Sequence, residues 1–264
     1  MELNATRFAS FLSERDGILA HGRVRPTADA RSLKQLPTSS KKKMHKEEIS
    51  PIMKIGDVQP GDVVLCFSSS MRDARRGRES GYSHAAICIE PGQVLESAGG
   101  GVRHNALSDL VEEYEHLAVL RNAQAWDVDR LTMLRKFDSD VLGLPFNSAG
   151  LKQYEVKHED ALTTQLQRIQ AYFTSKPHNQ FSPGAALFCS ELVVTAFIEA
   201  KIIGASAIAA FLPETFLPQD LANDMLFGFF IGYLIPYAKY SIPPGDFFEN
   251  FANDTHFLRE SRLN

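Results

Sequence analysis

The chain has 264 residues, of which 44% are hydrophobic and 23% charged, and this composition is typical of a globular protein with one good core. Its net charge of -4 argues against a general nucleic-acid-binding role, which favours a strongly basic surface. Three cysteines are too few, and odd in number, for a disulfide framework. No Cys or His spacing matches a zinc site, so we expect neither a metal nor another cofactor.

The first fifty residues differ from the rest in charge. They contain ten Lys or Arg against six Asp or Glu, a balance of +4, and Ser, Thr, Pro and Lys dominate from residue 21 to residue 51. We therefore predict a basic, partly disordered arm over 1–51 and a single catalytic domain over 52–264. The arm is either a solvated leader or a targeting, secretion or docking segment.

No stretch of the sequence predicts membrane insertion. The N-terminus lacks the basic start and apolar run of a Sec signal peptide. The longest apolar run, from Met225 to Tyr237, contains two glycines and a proline and is too short to span a bilayer. We expect a soluble protein without a transmembrane segment, either cytoplasmic or exported by a dedicated secretion system.

The domain reads in chain order as strands, helices, a cysteine-bearing helix and then more strand. Runs of β-branched and aromatic residues predict strands, at 63–67, 83–90, 93–98, 102–104, 117–121 and 226–237. Apolar spacing predicts helices, at 106–115, 127–142, 160–173 and 189–201. This order indicates an α+β fold in which an antiparallel sheet packs against helices.

Two finer expectations concern packing. Along 127–142, the helical spacing makes Val128, Leu131, Leu134 and Val141 candidate core residues. The C-terminal 25 residues, which are rich in phenylalanine, are expected to pack back onto the domain. A polar loop at 68–81 bears four arginines, Arg72, Arg75, Arg76 and Arg78, and is either simply solvated or a rim that meets an anionic substrate.

Cys189 stands directly ahead of a long apolar helical run. In the first turn of a helix, unpaired N–H groups and the positive end of the macrodipole favour a thiolate. This placement is typical of a cysteine nucleophile, although a lone cysteine at such a position is more often a small core residue.

A cysteine nucleophile needs a base, and the base needs an orienting group. His84 begins an otherwise apolar strand, and Glu96 follows twelve residues later across the turn at Pro91-Gly92. A hairpin centred on that turn places Glu96 opposite or diagonal to His84, where its carboxylate can fix the imidazole tautomer. A bulge would change this register. Taken singly, a strand histidine is more often structural and a strand glutamate more often solvated.

Several motifs resemble those of the permuted NlpC-type papain-like proteins, the branch that includes the YiiX-like cysteine hydrolases and is akin to the lecithin:retinol acyltransferase group. The matching segments are the Gly-Asp start of the first strand, the histidine strand, the strand with the acidic residue, the cysteine helix and, more loosely, the segment before that helix; they lie at 60–64, 82–87, 94–98, 188–193 and 143–147. The order His, Glu, Cys is the permuted one, and the resemblance covers roughly residues 55–200.

The resemblance implies a circularly permuted papain-like fold with a catalytic triad of Cys189, His84 and Glu96. Cys189 would attack as thiolate, His84 would carry the proton, and the Cys189 N–H would help to hold the oxyanion. Tyr82 would add a hydroxyl near the substrate or oxyanion. Ser190 and Glu191 are expected to serve the helix rather than the chemistry.

The expected function is that of a cysteine hydrolase that cleaves an amide bond, with peptidoglycan stem peptide as the substrate class that the resemblance implies. A bacterial effector or toxin, delivered by secretion machinery and countered by an immunity protein, would reconcile this substrate with the lack of a Sec signal. One alternative is an acyltransferase or thioesterase acting on lipid or protein acyl groups. The other is a papain-like binding module with an idle triad.

Overall fold

The fold comes from a computed structural model, which describes residues 51–69, 81–174, 186–204, 206–208 and 211–249. All of them belong to one compact unit, Glu47–Asn264. Except for Pro51, the predicted arm lies outside the described residues, and so do the four loop arginines. The boundary at 51/52 therefore stays a prediction.

The described residues form an α+β fold, as predicted, in which a six-stranded antiparallel sheet is covered by helices. The strands are β1 (Val63–Phe67), β2 (Tyr82–Glu90), β3 (Gln93–Ala98), β4 (Gly101–Ala106), β5 (His116–Arg121) and β6 (Phe229–Leu234). The helices are α1 (Leu107–Glu113), α2 (Val128–Val141), α3 (Ser148–Lys152), α4 (Tyr154–Thr174), α5 (Cys189–Glu199) and α6 (Pro218–Asn223). Short 3-10 turns occur at Ile55–Asp57 and Pro213–Thr215.

The strand order is β4-β3-β2-β1-β5-β6, and every neighbouring pair is antiparallel. β1 lies in the middle, and all five of its residues are buried. Its Val63, Leu65 and Phe67 join the larger core on one face, whereas Val64 and Cys66 join a smaller core on the other. Because both faces of β1 are covered, its sequence shows a continuous apolar run instead of an alternating one.

Helix α5 supplies much of the larger core. Ten of its eleven residues are buried, and it packs against β2 and β3. Helix α1 covers the opposite face with Leu107, Leu110 and Val111. The sheet is therefore enclosed between α5 and α1, and the strands β2 and β3 lie directly beneath the start of the cysteine helix.

The predicted core of α2 is partly wrong. Leu134 and Val141 are buried and Leu131 packs at the edge of the core, but Val128 is 80% exposed. Val128 is the first residue of the helix, and Phe137 is buried on its inner face instead. Helix α4 begins at Tyr154, six residues before the predicted start at 160.

The C-terminal phenylalanines that lie within the described residues pack back as predicted. Phe248 is buried and stacks on Phe230 of β6, with ring centroids 4.7 Å apart. Phe247 packs at the edge of the same core. No helix within the described ranges has the length and apolar character needed to cross a bilayer.

Candidate active site

Three residues from three elements meet at the start of the cysteine helix. His84 lies on β2, Glu96 on β3, and Cys189 is the first residue of α5. All three are buried, with relative exposures of 7%, 1% and 7%. The structure therefore brings together the nucleophile, base and orienting carboxylate that the sequence predicted, whereas their catalytic role stays a prediction.

The β2–β3 hairpin places Glu96 diagonal to His84. Glu96 lies directly opposite Ala86, two residues along β2 from His84. This register confirms the predicted hairpin geometry, because diagonal side chains on one face of a sheet are within reach of long residues. His84 Nε2 donates to Glu96 Oε2 over 2.7 Å. That bond fixes the imidazole tautomer and leaves Nδ1 for the cysteine.

Three groups act on the thiol of Cys189: the imidazole of His84 and the N–H groups of Ala85 and Ser190. Burial raises the pKa of the thiol, but the interaction with His84, the charge of its imidazolium and the two N–H groups outweigh burial, so the pKa lies below its ordinary value. Conversely, burial lowers the pKa of His84, yet its bonds to Cys189 and Glu96 outweigh burial and raise it to about 10. The pair therefore favours thiolate and imidazolium.

Glu96 is held from its far side by strand β4. Arg103 Nε and Nη2 each lie 2.8 Å from Oε1, and Asn105 Nδ2 donates to the same oxygen over 2.9 Å. Burial raises the pKa of Glu96, but the bonds and positive charges of His84 and Arg103 bring it below the ordinary value. Glu96 is therefore an ionised carboxylate with both oxygens engaged.

Arg103 and Asn105 were not predicted as site residues, although the sequence contains a signal for them. Gly99-Gly100 is a two-residue Gly-Gly loop, a strong hairpin signal between two strands. Read as a hairpin, it pairs Glu96 with Arg103, and this is the register that β3 and β4 adopt.

Tyr114 was also missed. Its ring lies parallel to the imidazole of His84, with an interplanar angle of 4° and centroids 5.8 Å apart. It follows the last residue of α1 and closes one side of the site. Cys66 lies directly opposite His84 on the neighbouring strand β1 and is fully buried.

Side chains around residues 143–147 and 187–191 fix the start of α5. Glu191 Oε2 accepts from Phe188 N over 3.1 Å and from Asn147 Nδ2 over 3.0 Å. Ser190 Oγ donates to Phe216 O over 2.7 Å. Ser190 and Glu191 thus hold the helix in place, as expected, and Asn147 links the loosely matched 143–147 segment to it.

The hydroxyl of Tyr82, expected near the substrate or oxyanion, is not brought to the triad. A bulge at Ser83 pairs Phe67 with Tyr82 instead of Ser83, and this turns Tyr82 to the opposite face from His84. Its hydroxyl donates to Asp246 Oδ2 over 3.1 Å and lies near His116. Because one extra residue reverses the alternation, Tyr82 serves a separate buried cluster.

Among the described residues, no group of three or more His, Cys, Asp and Glu side chains is arranged to hold a metal ion. The N–H of Cys189, as the first helical residue, has no acceptor within α5 and remains the expected oxyanion donor. The described site can thus supply a nucleophile, a base, an orienting carboxylate and an oxyanion donor from the chain itself.

No family model matches the chain, and no curated protein is similar to it in sequence. Among solved structures, the metalloprotein yiiX from Escherichia coli O157:H7 (DUF1105) is similar with 19% identity and a TM-score of 0.35. The similarity covers 54% of this chain and 66% of that protein, just under two thirds of its length.

Proposed function

We propose that the chain is a cysteine hydrolase that cleaves an amide bond, with Cys189 as nucleophile, His84 as general acid and base, and Glu96 as the group that orients His84. The observation that carries the proposal is the convergence of these three buried side chains, with the His84–Glu96 bond of 2.7 Å and a Cys189 thiol whose pKa His84 helps to lower. Burial alone would make Cys189 inert, so its neighbours are what support a reactive role.

In the proposed reaction, the Cys189 thiolate attacks the amide carbonyl and forms a carbon–sulfur bond, while the carbonyl electron pair moves to oxygen. The N–H of Cys189 stabilises that oxyanion. His84 gives its proton to the departing amine as the carbon–nitrogen bond breaks, which leaves an acyl-enzyme. His84 then takes a proton from water, the resulting hydroxide attacks the thioester, and the thiolate departs.

We infer the substrate class from the papain-like resemblance. Peptidoglycan stem peptides are the proposed substrate, and the enzyme would then be an endopeptidase or amidase. The basic arm over 1–51 is proposed to serve delivery by secretion machinery, so the protein would act as an effector with an immunity protein as partner. A permuted papain-like arrangement of the fold belongs to the same proposal.

The experiment is incubation of the purified full chain with purified muropeptides, with products read by mass. We expect cleaved stem peptides with the wild type and none above background with Cys189→Ala or His84→Ala. Cys88→Ala is the matched control, because Cys88 is a buried cysteine of the same strand as His84 but takes no part in the site. That variant should retain activity.

Three results would contradict parts of the proposal. Failure to cleave any muropeptide removes the peptidoglycan substrate. Transfer of an acyl group to an acceptor other than water favours the acyltransferase or thioesterase alternative. A Cys189 thiol that resists iodoacetamide near neutral pH indicates an idle triad and a binding module.

A further inference from the structure

The carboxylate of Glu96 is shared unequally between two strands. Oε2 faces His84 on β2, whereas Oε1 receives Arg103 Nε, Arg103 Nη2 and Asn105 Nδ2 from β4, all between 2.8 and 2.9 Å. An oxygen with three donors has no capacity for another ligand. His84 therefore meets a single, fixed acceptor, and the carboxylate cannot rotate without losing several charge-assisted bonds.

Charge balance gives these donors a second effect. The reactive state holds Cys189 as thiolate, His84 as imidazolium and Glu96 as carboxylate, which without Arg103 would leave a net charge of -1 in a buried site. Burying uncompensated charge is costly, and an ionisable group in such a site responds by gaining or losing a proton. The guanidinium of Arg103 brings the sum to zero, so the thiolate–imidazolium pair can persist.

Among the described residues, the other groups that act on the site add no second cation. Titratable side chains act on it from β1, β2, β4, α5 and the end of α1, and they are Cys66, His84, Arg103, Cys189, Glu113 and Tyr114. Glu113 is acidic, and Cys66 and Tyr114 are neutral at neutral pH because their pKa values are raised, chiefly by burial. Arg103 is thus the permanent positive charge among these neighbours.

We propose that Arg103 and Asn105, here called the Glu96 clamp, are positioning residues of the site that keep Glu96 ionised and oriented and thereby hold Cys189 in its thiolate form. The inference rests on the triad of the proposed function. The clamp acts through Glu96, whose Oε1 both residues contact.

The test is titration of the Cys189 thiolate in the full chain, followed by the pH dependence of iodoacetamide alkylation and read by mass at Cys189. Arg103→Met should move the midpoint upward by about one pH unit, since a neighbouring opposite charge shifts an acid by this order. Alkylation at a fixed pH below the midpoint then slows about tenfold. Arg103→Lys keeps the positive charge but loses the paired N–H donors of the guanidinium. Its midpoint should therefore lie between those of the wild type and Arg103→Met.

Asn105→Asp is a second variant, nearly the same size, that sets a carboxylate against Glu96 Oε1. We expect it to move the midpoint in the same direction as Arg103→Met and further than Asn105→Ala, because like charges favour protonation of one partner. His104→Gln is the matched control: His104 lies between the two clamp residues on β4 but bonds Asp138 of α2 over 2.6 Å. It should leave the titration unchanged.

A purely structural role predicts a different result. If Arg103→Met and Asn105→Asp lower the melting temperature but leave the thiolate midpoint in place, or if both fold normally with no shift, the clamp proposal is wrong. Thiolate titration needs no substrate, so the two proposals fail separately. A shifted midpoint without muropeptide cleavage removes only the substrate, and cleavage with an unshifted midpoint removes only the clamp.

Discussion

At the residue scale, the three cysteines show how neighbours override burial. Cys66, Cys88 and Cys189 are all buried. Burial raises the pKa of Cys66 well above its usual range and that of Cys88 to about 12, and no imidazole among the described residues lowers either value. Of the three, Cys189 alone has a lowered pKa, because His84 and two N–H groups outweigh the effect of burial. The same residue type is therefore inert at two positions and poised for reaction at the third.

This difference predicts selective labelling. In the native protein at neutral pH, iodoacetamide should modify Cys189 and leave Cys66 and Cys88 unmodified, with sites identified by peptide mass. His84→Gln should slow Cys189 labelling by at least tenfold, because loss of the imidazolium leaves burial as the main influence on the thiol. Equal labelling of the three cysteines in folded wild type would refute this expectation.

The same shifts set the pH dependence of hydrolysis. The Cys189 pKa is lowered, so activity should appear on the acid side as the thiolate forms. The His84 pKa is raised to about 10, so activity should fall only as the pH passes through that range and the general acid loses its proton. A profile of kcat/KM against pH checks both the rise and the fall in activity. Because Cys189 and His84 interact, the two midpoints are properties of the pair and not of either residue alone.

At the element scale, helix α5 joins the core to the chemistry. Its buried body packs on β2 and β3, so the position of its first residue is set by the packing of the whole helix. The N-terminus is then closed by Glu191, which accepts from Phe188 N and Asn147 Nδ2. Burial raises the pKa of Glu191, and the Phe188 N–H and Asn147 donors oppose that rise.

We expect Glu191→Ala to destabilise the fold by about 1–2 kcal/mol, because a buried N–H and a buried amide lose their acceptor. Chemical denaturation measures this. Glu199→Ala, at the other end of α5, is the control and should change stability by less than about 0.5 kcal/mol, since no acceptor at a helix N-terminus is lost. Equal effects of the two substitutions would contradict the role of Glu191.

The elements themselves were largely predictable. The hairpin of β2 and β3 followed from one turn signal between two apolar runs, and the antiparallel α+β class followed from the order of elements. The bulge at Ser83 was not predictable, because nothing local distinguishes Ser83 from its neighbours, and the pairing with Phe67 on β1 decides it. Because of this bulge, the hydroxyl of Tyr82 lies on the opposite face of the sheet from His84 and not near the triad, where it was expected.

At the scale of the whole molecule, a buried polar cluster ties the C-terminal segment to the sheet. Asp246 accepts from Tyr82 over 3.1 Å, from Tyr233 over 2.5 Å and from Phe248 N over 2.9 Å, and His116 Nε2 lies 3.2 Å away. Burial raises the pKa of Asp246, but the bonds from His116, Tyr233 and Phe248 N outweigh it and lower the pKa.

Asp246→Asn should cost about 2–4 kcal/mol at neutral pH, because the buried donors lose a charged acceptor. The folded pKa lies below the unfolded value of about 3.9, so the stabilisation is complete above that value and is lost as the pH falls through the folded pKa. Denaturation curves should therefore show the wild type and the variant converging below pH ~4. Asp140→Asn, an exposed control on α2, should have little effect at either pH.

What the sequence determined by itself was mostly local: the strands and helices, the hairpin that joins His84 to Glu96, and the start of a helix at Cys189. These follow from periodicity and turn chemistry, which act over a few residues. Only the tertiary structure decided that α5 lies over β2 and β3, that Ser83 bulges, and that Arg103 and Asn105 close on Glu96. Those outcomes depend on packing and pairing between distant segments, and that packing is also what turns a buried cysteine into a candidate nucleophile.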